Sequence, residues 1–202
     1  MYTLYQFSMS PASRRVVSLL AHCDLPFEQR DVDMMAGQHM SPEYLAVNPN
    51  HQVPTLLDGD LKIHESNAIL RYLCNRHALH SWYPNDDRVR GKVDQWLDWT
   101  QCRFVPTMRD IVLNEVFLGD KGDKAAAQRG REHVKELFLI LENGLDNHFL
   151  VGETPTIADL SLASCVYQLT LAQIQPESPR ARQWFGRVGQ LKGFQASLPK
   201  AV

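Results

Sequence analysis

The pattern of apolar and polar positions divides the chain into a mixed first part and a helical second part. Alternation over residues 1–7 predicts a strand, and helical spacing starts at once after Ser10-Pro11, an N-cap followed by a proline at the first helical position. Residues 27–32 have the composition of a second strand. The opening is therefore expected to be a strand-helix-strand unit with a parallel, right-handed crossover, followed by a short helix at 41–45.

Residues 48–66 contain an unusual feature, the Val53-Pro54 pair at the entrance to a short apolar run. A proline removes a hydrogen-bond donor from a strand, so the segment before it is expected to pair with something other than protein, such as a ligand backbone. A further strand at 61–64 leads directly into another helix. The expected order of the first part is β-α-β-α-β-β-α, ending near Arg76.

The second part is helical throughout. Residues 79–87 break all periodicity and mark a linker. The long helix after it is expected to kink at Pro106. A later helix begins at Thr156, whose hydroxyl forms a capping arrangement with the carboxylate of Asp159, and Asp159 is expected to support the folding of this part.

The expected architecture is an α/β domain at residues 1–78, the linker at 79–87 and an all-helical domain at 88–202. A chain of 202 residues suits one large domain or two small ones. The net charge of -2, without a block of like charges, gives no reason to expect nucleic acid or an anionic membrane as a partner. No signal segment and no apolar run of about 20 residues is present, so a cytoplasmic protein without a membrane span is expected.

Neither the cysteines nor the histidines form a pattern with recognisable chemistry. The cysteines are Cys23, Cys74, Cys102 and Cys165. They are too far apart for a Cys-x-x-Cys redox pair or for zinc-ligand spacing, and all four are expected to be small buried core residues in a reducing compartment. The eight histidines likewise have no metal-binding spacing, so no metal is expected.

Ser10 is the first candidate for chemistry, because its hydroxyl and the free amides of the following helix point at the same volume and favour an anion there. The alternative is that Ser10 is a helix cap and nothing more. A serine hydrolase would need a Gly-x-Ser-x-Gly elbow or comparable support, which the sequence lacks. Ser13 lies one turn further on. An exposed serine of the first helical turn is expected there, and the alternative is a second hydroxyl that faces inward beside Ser10.

The strand-helix-strand opening with Val53-Pro54 before the third strand is the plan of a thioredoxin-like fold, in which the first turn usually carries two cysteines. Here Ser10 and Ser13 replace both thiols, so the protein would act on a thiol that another molecule supplies. Several ordered motifs then resemble those of cytosolic glutathione transferases, most closely the serine-using theta and delta classes. They are GQHMSPEYL at 37–45, NPNHQVP at 48–54, ESNAILRYL at 65–73, WYP at 82–84 and PTIADL at 155–160.

The resemblance implies a thioredoxin-like domain followed by a helical bundle, glutathione as co-substrate, and roles for the matched positions. Ser10 would donate a hydrogen bond to the glutathione sulfur, and Val53 would pair its backbone with the cysteinyl unit. Glu65 and Ser66 lie at the start of the helix after the last strand. Glu65 would bind the γ-glutamyl amine, and Ser66 would bind the carboxylate of the same γ-glutamyl residue. The positions matched to the glycine carboxylate are His39 and His51, with Gln52 beside them. Taken singly, each histidine is equally explained as a surface residue, Glu65 as a capping or solvated carboxylate and Ser66 as a plain cap; their ordered spacing favours binding.

A pocket for the electrophile would lie between the Ser10 loop and the long helix of the second domain. The apolar candidates are Met9, Met34, Met35, Val105 and Met108. Adaptable methionines suit a tolerant pocket, although core packing or surface scatter explains each of them equally well. Arg109 is a candidate for a polar electrophile, with a solvated helix charge as the alternative. The short tail after the last helix puts a C-terminal lid, and with it a dehalogenase specialisation, in doubt.

The leading hypothesis is a detoxifying transferase that conjugates glutathione to small apolar electrophiles. One alternative is a non-catalytic interaction protein on the same fold, like the stringent starvation proteins of bacteria. Another is glutathione-dependent reduction of peroxides or disulfides. The resemblance also implies a homodimer in which the helix that carries Arg71 packs near Val93 and Trp96 of the partner subunit.

Overall fold

In the computed structural model, residues 1–145 and 147–199 are described, and the chain forms two compact units. The first, called the α/β unit, comprises residues 1–79 together with residues from 190 onward; the second, the helical unit, comprises residues 80–189. The strands are β1 (Tyr2–Gln6), β2 (Phe27–Asp31), β3 (Thr55–Asp58) and β4 (Leu61–His64). The α-helices are α1 (Pro11–His22), α2 (Pro42–Leu45), α3 (Ser66–Arg76), α4 (Asp87–Trp99), α5 (Val105–Val112), α6 (Lys124–Gly144), α7 (Ile157–Leu169), α8 (Pro179–Gly189) and α9 (Lys192–Ala196).

The α/β unit is built on a four-stranded sheet of order β2-β1-β3-β4. β1 pairs with β2 in parallel, and β3 runs antiparallel to β1 and β4. The strand-helix-strand opening, its parallel pairing and the element order up to α3 are therefore confirmed. The core consists of fully buried apolar side chains from the sheet, α1 and α3: Leu4, Leu56, Val16, Leu19, Leu20, Ile69, Leu70 and Leu73.

The sheet register decides which loops lie at the same edge. Tyr5 of β1 is opposite Thr55 of β3, and Thr55 is opposite His64 of β4. The carboxyl ends of β1 and β4 therefore flank the start of β3, at what we call the Thr55 edge. Since α1 follows β1 and α3 follows β4, both helices begin at this edge.

The C-terminal segment packs on α1 within the α/β unit. Lys192 Nζ lies 2.6 Å from Asp24 Oδ2, and the Ser18 hydroxyl donates to Ser197 Oγ at 2.8 Å. Gly193 allows the close approach, because a Cβ atom there would lie 2.1 Å from the carbonyl oxygen of Ser18. The expected helical domain covered residues 88–202, whereas residues 190–199 group with the sheet.

In the helical unit, the irregularity expected at Pro106 is a π-helical segment, Thr100–Phe104, directly before α5. The Val105 N–H donates to the Thr100 carbonyl, five residues back. Pro106 has no N–H, and its ring excludes the carbonyl that a regular helix would place four residues before it. A wider turn at this point satisfies both restrictions.

The structure also tests the capping arrangement and the cysteines. Thr156 caps α7 in a capping box with Asp159, as predicted. All four cysteines are free; Cys74 and Cys165 are buried and Cys23 is partly buried, but Cys102 is exposed, so the prediction of a buried residue was wrong there. Burial raises the pKa of the Cys74 thiol to about 12.

Within the described ranges, no helix has the length and apolar character needed to cross a membrane.

Candidate active site

Ser10 lies at the junction of β1 and α1, at the Thr55 edge. It is the N-cap of α1, with extended backbone (φ -82°, ψ 121°), and its Oγ accepts a hydrogen bond from the Ser13 N–H at 3.3 Å. Within the described part of the chain the Ser10 hydroxyl donates to no other group, so its proton is available to a ligand. The helix terminus adds partial positive charge at the same place.

Ser13 differs from its prediction. It is fully buried, and its Oγ accepts a hydrogen bond from the Phe7 N–H at 3.2 Å. The expected exposed serine was therefore wrong, because the turn after β1 folds back over the first turn of α1 and uses this hydroxyl. Ser13 thus supports the loop that carries Ser10.

The Val53-Pro54 peptide bond is cis. The Val53 side chain is buried in a small cluster with Val32 and Tyr44. Among the described residues no hydrogen bond involves the N–H or the carbonyl of Val53. These backbone groups are therefore free to pair with an extended ligand.

Two polar side chains hold the segment before Val53 in place, although the sequence pattern indicates this role for neither of them. The Tyr44 hydroxyl donates to the Gln52 carbonyl at 2.6 Å, and Asn48 Nδ2 donates to the same carbonyl at 2.8 Å. Asn48 Nδ2 also lies 3.1 Å from Thr55 Oγ1. Both residues occur within the quoted motifs, and their burial is the feature that a sequence pattern alone does not reveal.

Glu65 and Ser66 lie at the start of α3, on the Thr55 edge. Glu65 is the N-cap, with φ 67° and ψ 108°, and Ser66 is the first helical residue. Positive φ at a residue other than glycine costs on the order of 1–3 kcal/mol and is concentrated at functional sites. The Ser66 side chain is buried whereas Glu65 is exposed, so an amine has open access to the carboxylate.

His39 and His51 are both partly buried, and Gln52 is exposed. His39 lies in the 3-10 helix Gln38–Met40, and His51 has a φ of 56°. The Nδ1 atoms of both rings are buried, and in the described ranges they have no hydrogen-bond partner.

The candidates for the electrophile pocket differ in how far they are buried. Met34 packs against the cluster that contains Val53, and Met9 is partly buried next to Ser10. Met35 is 74% exposed. The other candidates lie on α5 of the helical unit: Val105 is partly buried, Met108 is buried and Arg109 is exposed. In residues 1–145 and 147–199, no three histidine, cysteine, aspartate or glutamate side chains are grouped so as to hold a metal ion.

The two units correspond to the two domains of one enzyme family. Residues 1–75 match the N-terminal domain of glutathione S-transferases, and residues 124–187 match the C-terminal domain. The chain belongs to the glutathione S-transferase family, so its activity is glutathione transfer.

The similar proteins include members of the theta class, in agreement with the resemblance seen in the motifs. The chain is 33% identical to glutathione S-transferase theta-2 of Homo sapiens over 193 residues, which cover 92% of this chain and 79% of that protein. It is 32% identical to glutathione S-transferase 2 of Anopheles gambiae over 206 aligned positions, covering 100% and 97%. The crystal structure of human glutathione transferase theta-2 in complex with glutathione superposes with a TM-score of 0.91 at 29% identity, covering 98% and 86%.

Proposed function

We propose that Ser10 holds the sulfur of bound glutathione as a thiolate, which attacks small apolar electrophiles. The observation that carries the proposal is the position of Ser10: its hydroxyl has a proton to donate, at the positive end of α1. The same edge of the sheet carries the free backbone of Val53 and the start of α3. These groups match what a cysteine-containing tripeptide presents.

The chemistry needs a lower thiol pKa rather than a base. A free cysteine thiol has a pKa near ~8.5 and is mostly protonated at neutral pH, whereas the thiolate is the nucleophile. A hydroxyl donor and a helix N-terminus both favour the charged sulfur, and each pKa unit corresponds to about 1.4 kcal/mol. The thiol proton passes to solvent. The thiolate then forms a carbon-sulfur bond, displacing halide or adding to an activated double bond.

The remaining groups of glutathione are assigned to the other residues of the edge. Val53 pairs its N–H and carbonyl with the cysteinyl unit. Glu65 meets the γ-glutamyl amine, and Ser66, with the amides at the start of α3, holds the γ-glutamyl carboxylate. The glycine carboxylate meets His39, His51 and Gln52.

Adaptable apolar side chains are proposed to meet the electrophile. The candidates in the α/β unit are Met9 and Met34; those in α5 of the helical unit are Val105 and Met108, with Arg109 for a polar electrophile. We further propose a cytoplasmic homodimer with a role in detoxification. Sedimentation measures the oligomeric state directly, and a monomer mass would contradict the dimer.

The test is conjugation of a chlorinated aromatic substrate by the wild type, Ser10→Ala and the control Ser8→Ala, an exposed turn serine. Ser10→Ala is expected to lower kcat by about 10- to 1,000-fold with a much smaller change in glutathione affinity, because the lost contact acts on the reacting sulfur. Ser8→Ala is expected to behave like the wild type. A panel of halides, epoxides, isothiocyanates and peroxides then separates conjugation from reduction. A wild type that neither binds glutathione nor conjugates the test substrate contradicts the proposal.

A further inference from the structure

A buried arginine connects the two helices that begin at the Thr55 edge. Arg15 of α1 has a relative exposure of 1%, and its Nη1 donates to Asn67 Oδ1 of α3 at 3.1 Å. α1 carries Ser10 as its N-cap, and α3 begins with Ser66, the residue directly before Asn67. The hydrogen bond therefore joins the helix of the proposed thiol site to that of the proposed γ-glutamyl site.

A guanidinium is an expensive group to bury. Arginine is rarely found fully buried unless its donors are paired, and an unpaired buried charge costs several kcal/mol. An apolar side chain would serve core packing in α1 equally well, as Val16 and Leu19 do. The use of Arg15 at this position therefore calls for a role that only a fixed, charged hydrogen-bond donor fills.

The geometry of the helices shows what this contact controls. Arg15 lies five residues after Ser10, about one and a half turns along α1, and Asn67 is the second residue of α3. The contact therefore joins the second turn of α1 to the first turn of α3, whose free amides would face a ligand. A change in its length moves one N-terminus relative to the other.

We infer that Arg15 is a positioning residue that, through Asn67, sets the spacing between the thiol and γ-glutamyl halves of the glutathione site. The inference rests on the proposed function, because it takes Ser10 and Ser66 as the two contact points.

The test compares glutathione with cysteinylglycine, which has the same thiol but lacks the γ-glutamyl group. The ratio of kcat/KM for the two thiols measures how well the enzyme uses the γ-glutamyl half. Asn67→Ala is expected to lower this ratio about tenfold, the effect of one hydrogen bond to a charged group. Asn75→Ala, an exposed asparagine of the same helix, is the matched control and is expected to leave the ratio unchanged.

Arg15→Lys keeps the charge but loses the planar donor fork, so it is expected to lower the ratio as well. Combined with Asn67→Ala it is expected to add little further, because both changes remove the same contact. If Arg15→Lys fails to fold, Asn67→Ala alone decides. Calorimetric affinities for glutathione, measured for each folded variant, make the result independent of turnover.

An unchanged ratio and an unchanged glutathione affinity in a folded Asn67→Ala protein would overturn the inference. If the proposed role of Ser10 is wrong, the measured rates show a different pattern. Ser10→Ala acts on the sulfur that the two thiols share, so it is expected to lower both rates by a similar factor and leave their ratio in place. A normal Ser10→Ala enzyme with a reduced ratio in Asn67→Ala would contradict the role of Ser10 and support the positioning role of Arg15.

Discussion

Trp184 donates its indole N–H to Asp159 Oδ1 at 2.8 Å, and both side chains are fully buried in the helical unit. The same carboxylate oxygen accepts from the Leu150 N–H at 2.9 Å, and Oδ2 accepts from the N–H and the hydroxyl of Thr156. One side chain thus connects the start of α7, the segment before it and α8. Burial raises the pKa of Asp159, and these hydrogen bonds oppose the shift.

Asp159→Ala is expected to lower the melting temperature clearly. The substitution leaves buried donors of Leu150, Thr156 and Trp184 without an acceptor, at a cost of about 3 kcal/mol or more. For a chain of this size that corresponds to a fall of about 6–12 °C. Thermal unfolding measures the effect, with Asp120→Ala, an exposed aspartate, as the control. An unchanged melting temperature would contradict the structural role assigned to Asp159.

Tyr44→Phe tests the support of the segment before Val53. The variant loses the hydrogen bond to the Gln52 carbonyl while keeping the buried ring, so the cost in stability is expected to be about 1 kcal/mol. Because Gln52 directly precedes Val53, the KM for glutathione is expected to rise several-fold, with a smaller change in kcat. Tyr5→Phe, which removes a hydroxyl bonded to the exposed Arg30, is the control. Equal KM values in the two variants would argue against a supporting role for Tyr44.

Gly193→Ala tests the packing of α9 on α1. The added methyl group would lie 2.1 Å from the Ser18 carbonyl oxygen and 2.6 Å from Cβ of His22, so α9 must move away. A loss of at least about 2 kcal/mol is expected, within the range for overpacked sites. At Gly186 of α8 an added Cβ has no neighbour within 4 Å, and Ala there is expected to stabilise by a few tenths to about 1 kcal/mol. Similar unfolding free energies for the two variants would contradict the close packing of α9.

The sequence was sufficient where local chemistry determines structure. Ser10 with Pro11 predicts the start of α1, Thr156 with Asp159 predicts the capping box, and alternation over residues 1–7 predicts β1, because each depends on a few neighbouring residues. The glutathione contacts rest on an ordered series of motifs and stay predictions.

The residues whose burial was predicted wrongly depend on contacts distant in sequence or on irregular helix geometry. Ser13 is buried because the turn after β1 returns to it. Cys102 lies in a π-helical segment, whose wider turn shifts the residues after Trp99 out of the regular helical phase, so it is exposed while Phe104 is buried. The five-residue α9 is too short for its pattern to show which surface it covers.

The central claim is that Ser10 stabilises the glutathione thiolate, and the most direct test is the thiol pKa of bound glutathione. The ultraviolet absorbance of the thiolate, followed against pH at saturating glutathione, gives this pKa for the wild type, Ser10→Ala and Ser8→Ala. The thiol pKa is expected to lie at least one unit below ~8.5 in the wild type and in Ser8→Ala. In Ser10→Ala the pKa is expected to rise again and to recover most of this difference. A wild-type pKa near that of free glutathione, or the same lowered value in Ser10→Ala, would contradict it.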